Sequence, residues 1–492
     1  MQLKKGQIVN TTIETLALGG QGIGKCSIPT ALLQDQPTAV AADGMVMFVP
    51  NVIPGDQLRV ALTAIKKNYL EGTVEEITMP SSLRIAPRCR HFDECGGCTW
   101  QNLSYENQLK FKEQQVRETL EHVGNFSPEV CAHVMKPILG CEEPWEYRNK
   151  MEFSFGTVSR DDQTPQLGLH VPGRRYDIFD LKECFLTSPL VAELVIRVRA
   201  FVLQEKCSIY HEGRGKGLLR NLLIREGKHT GELMVALVTS GEPFEAVDRF
   251  RELFKNEPRV TSLIHTIKIQ KRGVRTSFHS TTLAGAPVIH EELHLENGHV
   301  LRFQIGPEAF FQPNTLQAEK LYGKAIELAE LTGQEVVYDL YCGTGTIGMF
   351  CAHAARDVYG IELNEEAIGN ARQNAMQNDI QNIHFLNGDV GKVLGHSFES
   401  IGGPPPPPDV VIVDPPRAGL VGDAPFKVAA LKAPKIVYVS CNPATLARDL
   451  KTLTREGYRL ETIQPVDMFP HTTHIENVAR LTFDPSSYVT PS

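Results

Sequence analysis

The sequence predicts an α/β protein in three parts: a small amino-terminal β-barrel, a mixed α/β central region, and a carboxyl-terminal doubly wound sheet. Three observations predict it. From about residue 306 the pattern becomes βα alternation, and the strand Val336-Val-Tyr-Asp-Leu340 runs into Gly343-Thr-Gly345-Thr-Ile-Gly348. That is G-x-G-x-x-G between a strand and a helix, where glycines let the backbone approach a ligand at a helix amino terminus. Residues 2–78 read instead as short strands parted by Gly-rich turns, the pattern of a small barrel. Strand and helix signals mix in between. The boundaries fall at 1–78, 79–305 and 306–492.

The 492 residues exceed one hydrophobic core. No run is apolar enough to span a membrane, and the first ten residues lack the apolar centre of a signal peptide. The expectation is a cytoplasmic protein with no membrane partner. A net charge of −8 confines any nucleic-acid role to local basic patches. Candidates are Lys66-Lys67, Arg84/Arg88/Arg90, Arg174-Arg175, Arg214/Lys216/Arg220/Arg225 and Lys268/Lys271/Arg272/Arg275. Each alone is most simply a solvated cluster. Eleven cysteines in such a chain argue for metal or catalytic use of some, not a disulfide framework. Cys26, Cys131, Cys141, Cys207 and Cys351 have no motif and read as structural.

In the first part, residues 7–13, 45–49, 57–62 and 70–77 are the strands, separated by Gly19-Gly20, Asp43-Gly44 and Pro54-Gly55. Gly19-Gly-Gln-Gly-Ile-Gly24 reads as a hairpin, because no helix follows it, and 27–42 as a loop insertion. With its opening Lys4-Lys-Gly-Gln7, its glycine loop and its Pro54-Gly-Asp56 turn, this part resembles the TRAM domain, an OB-like RNA-binding barrel.

Next comes Cys89-Arg-His-Phe-Asp-Glu-Cys95-Gly-Gly-Cys98. Two thiolates two residues apart across Gly96-Gly97 turn tightly onto one metal centre, Cys89 adds a third ligand, and Cys184 is the choice for the fourth. All-thiolate ligation selects zinc or iron–sulfur. Only one two-residue cysteine spacing exists here, which favours iron–sulfur. A helix over 104–122, strands over 151–155, 218–225 and 232–238, and helices over 190–204 and 244–255 fill the rest of this region. The basic residues from Arg214 to Arg225 suggest an RNA-facing surface.

In the last part a helix over 315–331 precedes the glycine motif, which fits a dinucleotide or an S-adenosylmethionine site equally well. Successive strand ends then carry Glu362, Asp389 (in Gly388-Asp389), Asp414 (in Asp414-Pro-Pro-Arg417) and Cys441 (in Ser440-Cys-Asn-Pro443). The run Pro404–Pro408 reads as a stiff surface spacer. A lone cysteine is usually structural. Five strand ends aimed at one edge, Asp339/Gly343 included, make a cofactor crevice the stronger reading. A carboxylate about twenty residues past the glycine loop suits the ribose of an adenosyl ligand.

The chain carries, in one set, the Cys89–Cys98 loop with Cys184, Phe310-Phe-Gln312-Pro-Asn314, Asp339-Leu-Tyr-Cys-Gly-Thr-Gly345, Asp414-Pro-Pro-Arg417, Ser440-Cys-Asn-Pro443 and His471-Thr-Thr-His-Ile-Glu476. With them the chain resembles the RNA uracil-5-methyltransferases over nearly its whole length, specifically the iron–sulfur branch that modifies 23S rRNA. The resemblance implies a Rossmann-like class I methyltransferase domain forming 5-methyluridine. Cys441 would be the nucleophile that adds to carbon 6, and Glu476 the base that removes the carbon 5 proton. Gln312, Tyr341, Thr346, Glu362, Asp389 and Asp414 would bind S-adenosylmethionine, and Cys89, Cys95, Cys98 and Cys184 a 4Fe–4S cluster. It further implies action on 23S rRNA; the expected working form is a monomer. The rival readings are the sister activity on the tRNA T-loop, a non-catalytic iron–sulfur RNA-binding or assembly factor, and a nicotinamide dehydrogenase.

Overall fold

The computed structural model describes residues 3–27, 44–158, 162–174, 176–270, 273–274, 276–295, 298–394, 405–484 and 486. Nearly all of the expected insertion, and Arg175, Lys271, Arg272 and Arg275 of the basic clusters, lie outside these residues. The chain divides into two compact units. One comprises Met1–Phe92, Gly97–Glu118 and Phe469–His474; the other comprises Asp93–Gly96, Thr119–Met468 and Ile475–Ser492.

The first unit is built on a closed barrel of β1 (Ile8–Leu16), β2 (Gly22–Ser27), β3 (Val46–Val49), β4 (Gln57–Ile65) and β5 (Tyr69–Met79). Inward residues alternate along its strands, and Val9, Ile13, Met47, Val49, Leu58, Val60, Leu62 and Leu70 fill it. The glycine run is the β1–β2 hairpin, with Leu16 paired to Gly22 and positive φ at Gly19 and Gly20. Closure leaves no open sheet edge. Asp56 organises the turn before β4. It accepts the Ile53 and Ser81 N–H groups and a two-pronged Arg84 guanidinium at 2.8 and 2.6 Å. Burial would raise the Asp56 carboxyl, but Arg84 and those amides outweigh it and hold the group below its ordinary value. Arg84 therefore leaves the list of RNA-binding candidates: it is the counter-ion of a buried acid.

The second unit holds a six-stranded sheet in the order β11-β10-β9-β8-β6-β7. Its strands are β6 (Lys150–Thr157), β7 (Pro165–Gly168), β8 (Leu219–Glu226), β9 (Leu233–Thr239), β10 (Val260–Ile269) and β11 (Ser277–Gly285). β9, Leu-Met-Val-Ala-Leu-Val-Thr, is buried throughout. The helix Pro189–Glu205 lays Leu194, Val195, Val198 and Val202 on that core. Both basic residues of the expected RNA-facing row that lie on β8 are buried: Arg220 is 9% exposed and donates to Gln270 Oε1 at 2.9 Å, and Arg225 is covered more fully still. Arg225 is 2% exposed and donates to the carbonyls of Pro307 and Ala309, so it braces the turn ahead of Gln312. Burial lowers its pKa to about 10. A hairpin of β12 (Ile289–His294) and β13 (Val300–Ile305) follows.

The last sheet runs β16-β15-β14-β17-β18-β20-β19. β14 (Val336–Leu340), β15 (Asp357–Glu362), β16 (Ile383–Asn387), β17 (Val410–Val413) and β18 (Lys435–Ser440) are parallel. β20 (Glu476–Phe483) lies antiparallel between β18 and β19 (Tyr458–Val466). The order reverses at β14, where β15 and β17 leave in opposite directions, and the crevice beyond the carboxyl ends of such strands is where ligands bind. In the proline run, Pro405 and Pro408 are buried and the Pro406 carbonyl accepts the Tyr338 hydroxyl at 3.0 Å. Pro406 and Pro407 are exposed, so the described part of the run stays at the surface while being anchored to β14. Among the described residues, no helix is long and apolar enough to cross a membrane.

Candidate active site

The crevice begins at the turn after β14. Tyr341, Gly343 and Gly345 all have positive φ, and for tyrosine that conformation is uncommon and marks a built turn. Gly345 is required by packing, since a Cβ there would meet the Phe385 ring at 2.7 Å. Gly343 is different. A Cβ there would meet nothing within 4 Å, so its backbone borders open space beside the helix Thr346–Ala352, which Thr346 begins. The Gly343 N–H donates to Glu362 Oε2 at 3.2 Å, while Glu362 Oε1 accepts the Asn364 N–H at 2.8 Å. This pins the Glu362 carboxylate at the end of β15. Asp389, past β16, is exposed and caps the short helix Val390–Val393 by accepting the Lys392 N–H at 3.0 Å. Behind the loop Asp339 is buried and accepts the Gly348 N–H at 2.8 Å; its other oxygen has no partner. Burial, then the Asp414 charge, push Asp339 up to about 8.

The opposite half of the edge is chemically distinct. β18 and β20 pair antiparallel with Ser440 opposite Asn477, so Cys441 leaves one strand where Glu476 enters the next. Asp414 follows β17 beside them. Glu476 is 7% exposed, and burial together with the Asp414 charge raise its carboxyl to about 8. Burial raises Asp414 to about 7. Burial first, then Glu476 and Asp414, push the Cys441 thiol up to about 11, with Arg417 pulling the other way. The Asn442 side chain caps the helix Pro443–Arg455 and donates to the Arg417 carbonyl at 3.1 Å, which ties the two strand-end turns together.

Gln312 lies on the approach to the helix Thr315–Ala329 and is held there by Asn149, which donates to its carbonyl at 2.7 Å. Its side chain bonds the Tyr322 hydroxyl, whose pKa burial and the charges of Asp414, Glu476 and Asp339 drive upward. Tyr322 was not legible as a site residue, because a tyrosine on the buried face of an amphipathic helix looks like core. Nor was Asp449. It is 1% exposed and accepts the Leu420 N–H and the Tyr438 hydroxyl at 2.8 and 2.7 Å, which anchors the segment after Arg417 to β18.

Of the four cysteines read as cluster ligands, Cys89 and Cys98 share Gln101. Its Oε1 accepts the Cys89 N–H at 3.0 Å and its Nε2 donates to the Cys98 sulfur at 3.2 Å. Cys95 and Cys184 pack against the core of the six-stranded sheet. All four are partly buried, and soft thiolates with an N–H···S bond are the donor set that suits an iron–sulfur centre.

Comparison with known proteins places these features. The family described as tRNA (uracil-5-)-methyltransferase matches residues 265–390 and 407–482, and the TRAM domain matches residues 2–74. A protein described as an uncharacterized RNA methyltransferase of Listeria innocua is 38% identical over 98% of this chain and 98% of its own. One of the same description from Protochlamydia amoebophila is 40% identical over 89% of this chain and 100% of its own. Among solved structures, the chain is similar to Pyrococcus abyssi tRNA (uracil-54, C5)-methyltransferase in complex with S-adenosyl-L-homocysteine. The TM-score is 0.71 and the identity 29%, over 96% of this chain and 99% of that one.

Proposed function

The chain belongs to the RNA uracil-5-methyltransferase family and carries a TRAM domain at its amino terminus, and from that premise we propose that it makes 5-methyluridine in 23S rRNA through a covalent Cys441 adduct. One observation carries the reading: the β18–β20 register sets a thiol and a buried carboxyl side by side at the crevice of an S-adenosylmethionine-dependent fold. Carbon 5 of uracil is too weak a nucleophile to take a methyl group unaided. Addition of the Cys441 thiolate to carbon 6 places electron density on carbon 5. S-adenosylmethionine, when bound, supplies an electrophilic methyl group. Glu476 as carboxylate then takes the carbon 5 proton, the C5–H electrons form the C5=C6 double bond, and the carbon–sulfur bond breaks to return the thiolate.

Glu476 suits that role because a carboxylate whose conjugate acid titrates near 8 is a stronger base than an exposed one. Glu362, Asp389, Gln312, Tyr341, Thr346 and Asp414 are the proposed contacts to the methyl donor, supported by the open space over Gly343 and the pinned Glu362. Asp339, with an unpartnered oxygen behind the same loop, supports the loop from within. Cys89, Cys95, Cys98 and Cys184 are proposed to hold a 4Fe–4S cluster, a structural centre rather than a redox one. The target base has to leave its stack, since a paired uracil hides carbon 6. The barrel of residues 1–78 and the central region 79–305 are proposed to grip the surrounding RNA, and the monomer is the proposed working form.

tRNA is the second substrate reading. The similar Pyrococcus enzyme is a tRNA methyltransferase matched over 96% of this chain, so the leading barrel does not separate the two substrates. The deciding experiment offers methyl-labelled S-adenosylmethionine with protein-free 23S rRNA and with bulk tRNA. Label entering only tRNA overturns the rRNA reading, and label entering RNA with Cys441→Ala overturns the covalent route. Anaerobic protein containing zinc and no iron would overturn the cluster.

A further inference from the structure

Cys98 is followed at once by Thr99 and Trp100, and both backbone N–H groups donate to a single carbonyl, that of His471, at 2.7 and 3.1 Å. His471 is 3% exposed and has a φ of +65°, a left-handed conformation that histidine tolerates better than most side chains and that a β-branched residue opposes. Gln108, fully buried on the helix Tyr105–His122, grips the same residue twice. Its Oε1 accepts the His471 N–H at 2.8 Å and its Nε2 lies 3.1 Å from His471 Nδ1. That amide nitrogen also donates to the Trp100 and Leu103 carbonyls at 2.9 and 3.0 Å. The buried Lys112 ammonium donates to the Phe469 carbonyl at 3.1 Å, and Gly20 comes so close to Thr473 that an added Cβ would stand 2.5 Å from its methyl. The segment Phe469–His474 is therefore fastened into the first unit at several points along its length. Past it, Ile475 is the single residue before Glu476.

We propose that His471 is a positioning residue for carbon 5 deprotonation: Gln108 and the backbone after Cys98 fix the segment that leads into Glu476, and so govern release of the product from Cys441. This rests on the reading of Glu476 as the base. A base must lie within hydrogen-bond reach of the proton it removes, and a displacement near 1 Å costs about a hundredfold. Cys441 and the glycine loop sit on other strands. Loosening the clamp leaves addition and methyl transfer in place and slows only the step in which Glu476 takes the proton and the carbon–sulfur bond breaks.

The test uses the full chain and protein-free rRNA and tRNA made with [5-³H]uridine, together with ¹⁴C-methyl S-adenosylmethionine. Carbon-14 entering RNA reports methyl transfer; tritium leaving carbon 5 reports elimination. In His471→Val, whose branched Cβ opposes the left-handed backbone, ¹⁴C incorporation in the first turnover stays within about threefold of wild type. Tritium release falls about tenfold or more, and a denaturant-stable protein–RNA adduct builds up. His471→Asn, a residue at ease in that conformation, recovers most of the release. Gln108→Leu repeats the valine result, and serves in its place if the valine variant does not fold. In protein without RNA, hydrogen exchange at the Thr99 and Trp100 amides quickens in both disruptive variants. Equal loss of both isotopic signals, unchanged tritium release or unchanged amide protection would overturn the proposal. Methyl transfer surviving Cys441→Ala in the same assay would overturn the underlying reading instead.

Discussion

The two halves of the crevice set similar residues in different surroundings. At β15 and β16, Glu362 and Asp389 accept backbone N–H groups at 2.8–3.2 Å, so the fold itself holds their side chains in place. At β17, β18 and β20, Asp414, Cys441 and Glu476 crowd together in a buried corner, and burial drives all three pKa values upward. A binding half needs carboxylates that are charged and fixed before the ligand arrives. A reacting half needs a base whose proton is close to transfer at working pH, and of the three it is Glu476, at about 8, that fits this. The difference arises from packing: a carboxylate is fixed in place where amides surround it, and its pKa climbs where burial and a neighbouring carboxyl act on it.

Removing the proposed nucleophile should give the largest effect. Cys441→Ser should lower methyl transfer by at least about 10³-fold and abolish any denaturant-stable adduct, because a hydroxyl is far less acidic and less nucleophilic than a thiol. Wild-type incorporation in a filter-binding assay would erase the division between a binding and a reacting half. Glu476→Gln should lower turnover by about 10²–10⁴-fold while trapping the adduct on a denaturing gel. Free, unmodified RNA on that gel would move the base elsewhere. On the binding side, Glu362→Gln should weaken S-adenosylmethionine by about 10–100-fold in calorimetry, the value of a charge-assisted hydrogen bond. It should leave first-turnover chemistry at saturating donor nearly intact, and a large loss of that chemistry would blur the contrast.

The smallest expected effect is on stability. Glu476 titrates near 8 in the fold against an ordinary 4.5, so between those values the folded chain holds a proton that the unfolded chain has lost. Its favourable contribution is complete below 4.5 and disappears as pH rises through 8. Glu476→Gln should therefore melt above wild type at pH 9 and converge with it toward pH 5, a span on the order of a few kcal/mol. A difference that grows toward acid pH would show the carboxyl to be charged and satisfied. Turnover should rise with pH through the same range.

The strand-end residues were legible because each follows a short β-branched run and precedes a turn. The positions of Asp414 and Cys441 need no tertiary knowledge beyond strand order, whereas Glu476 opens its strand and is singled out only by the resemblance its motif carries. What stayed hidden depends on partners far away in sequence. β11 has the polar pattern of an edge strand, exposed along most of its length, and so gave no alternation to read. Arg84 and Arg225 looked like surface cations until Asp56 and the carbonyls of Pro307 and Ala309 turned up beside them. Gln108 is one polar residue on a polar helix, and nothing local says that it holds a loop 363 positions away.

β20 follows β18 and β19 in the chain yet lies between them. The Cys441 thiol and the Glu476 carboxyl therefore become neighbours only when the last strand fills the gap in the sheet. The buried corner is thus a product of the finished sheet, and no shorter stretch of the chain holds all of its parts.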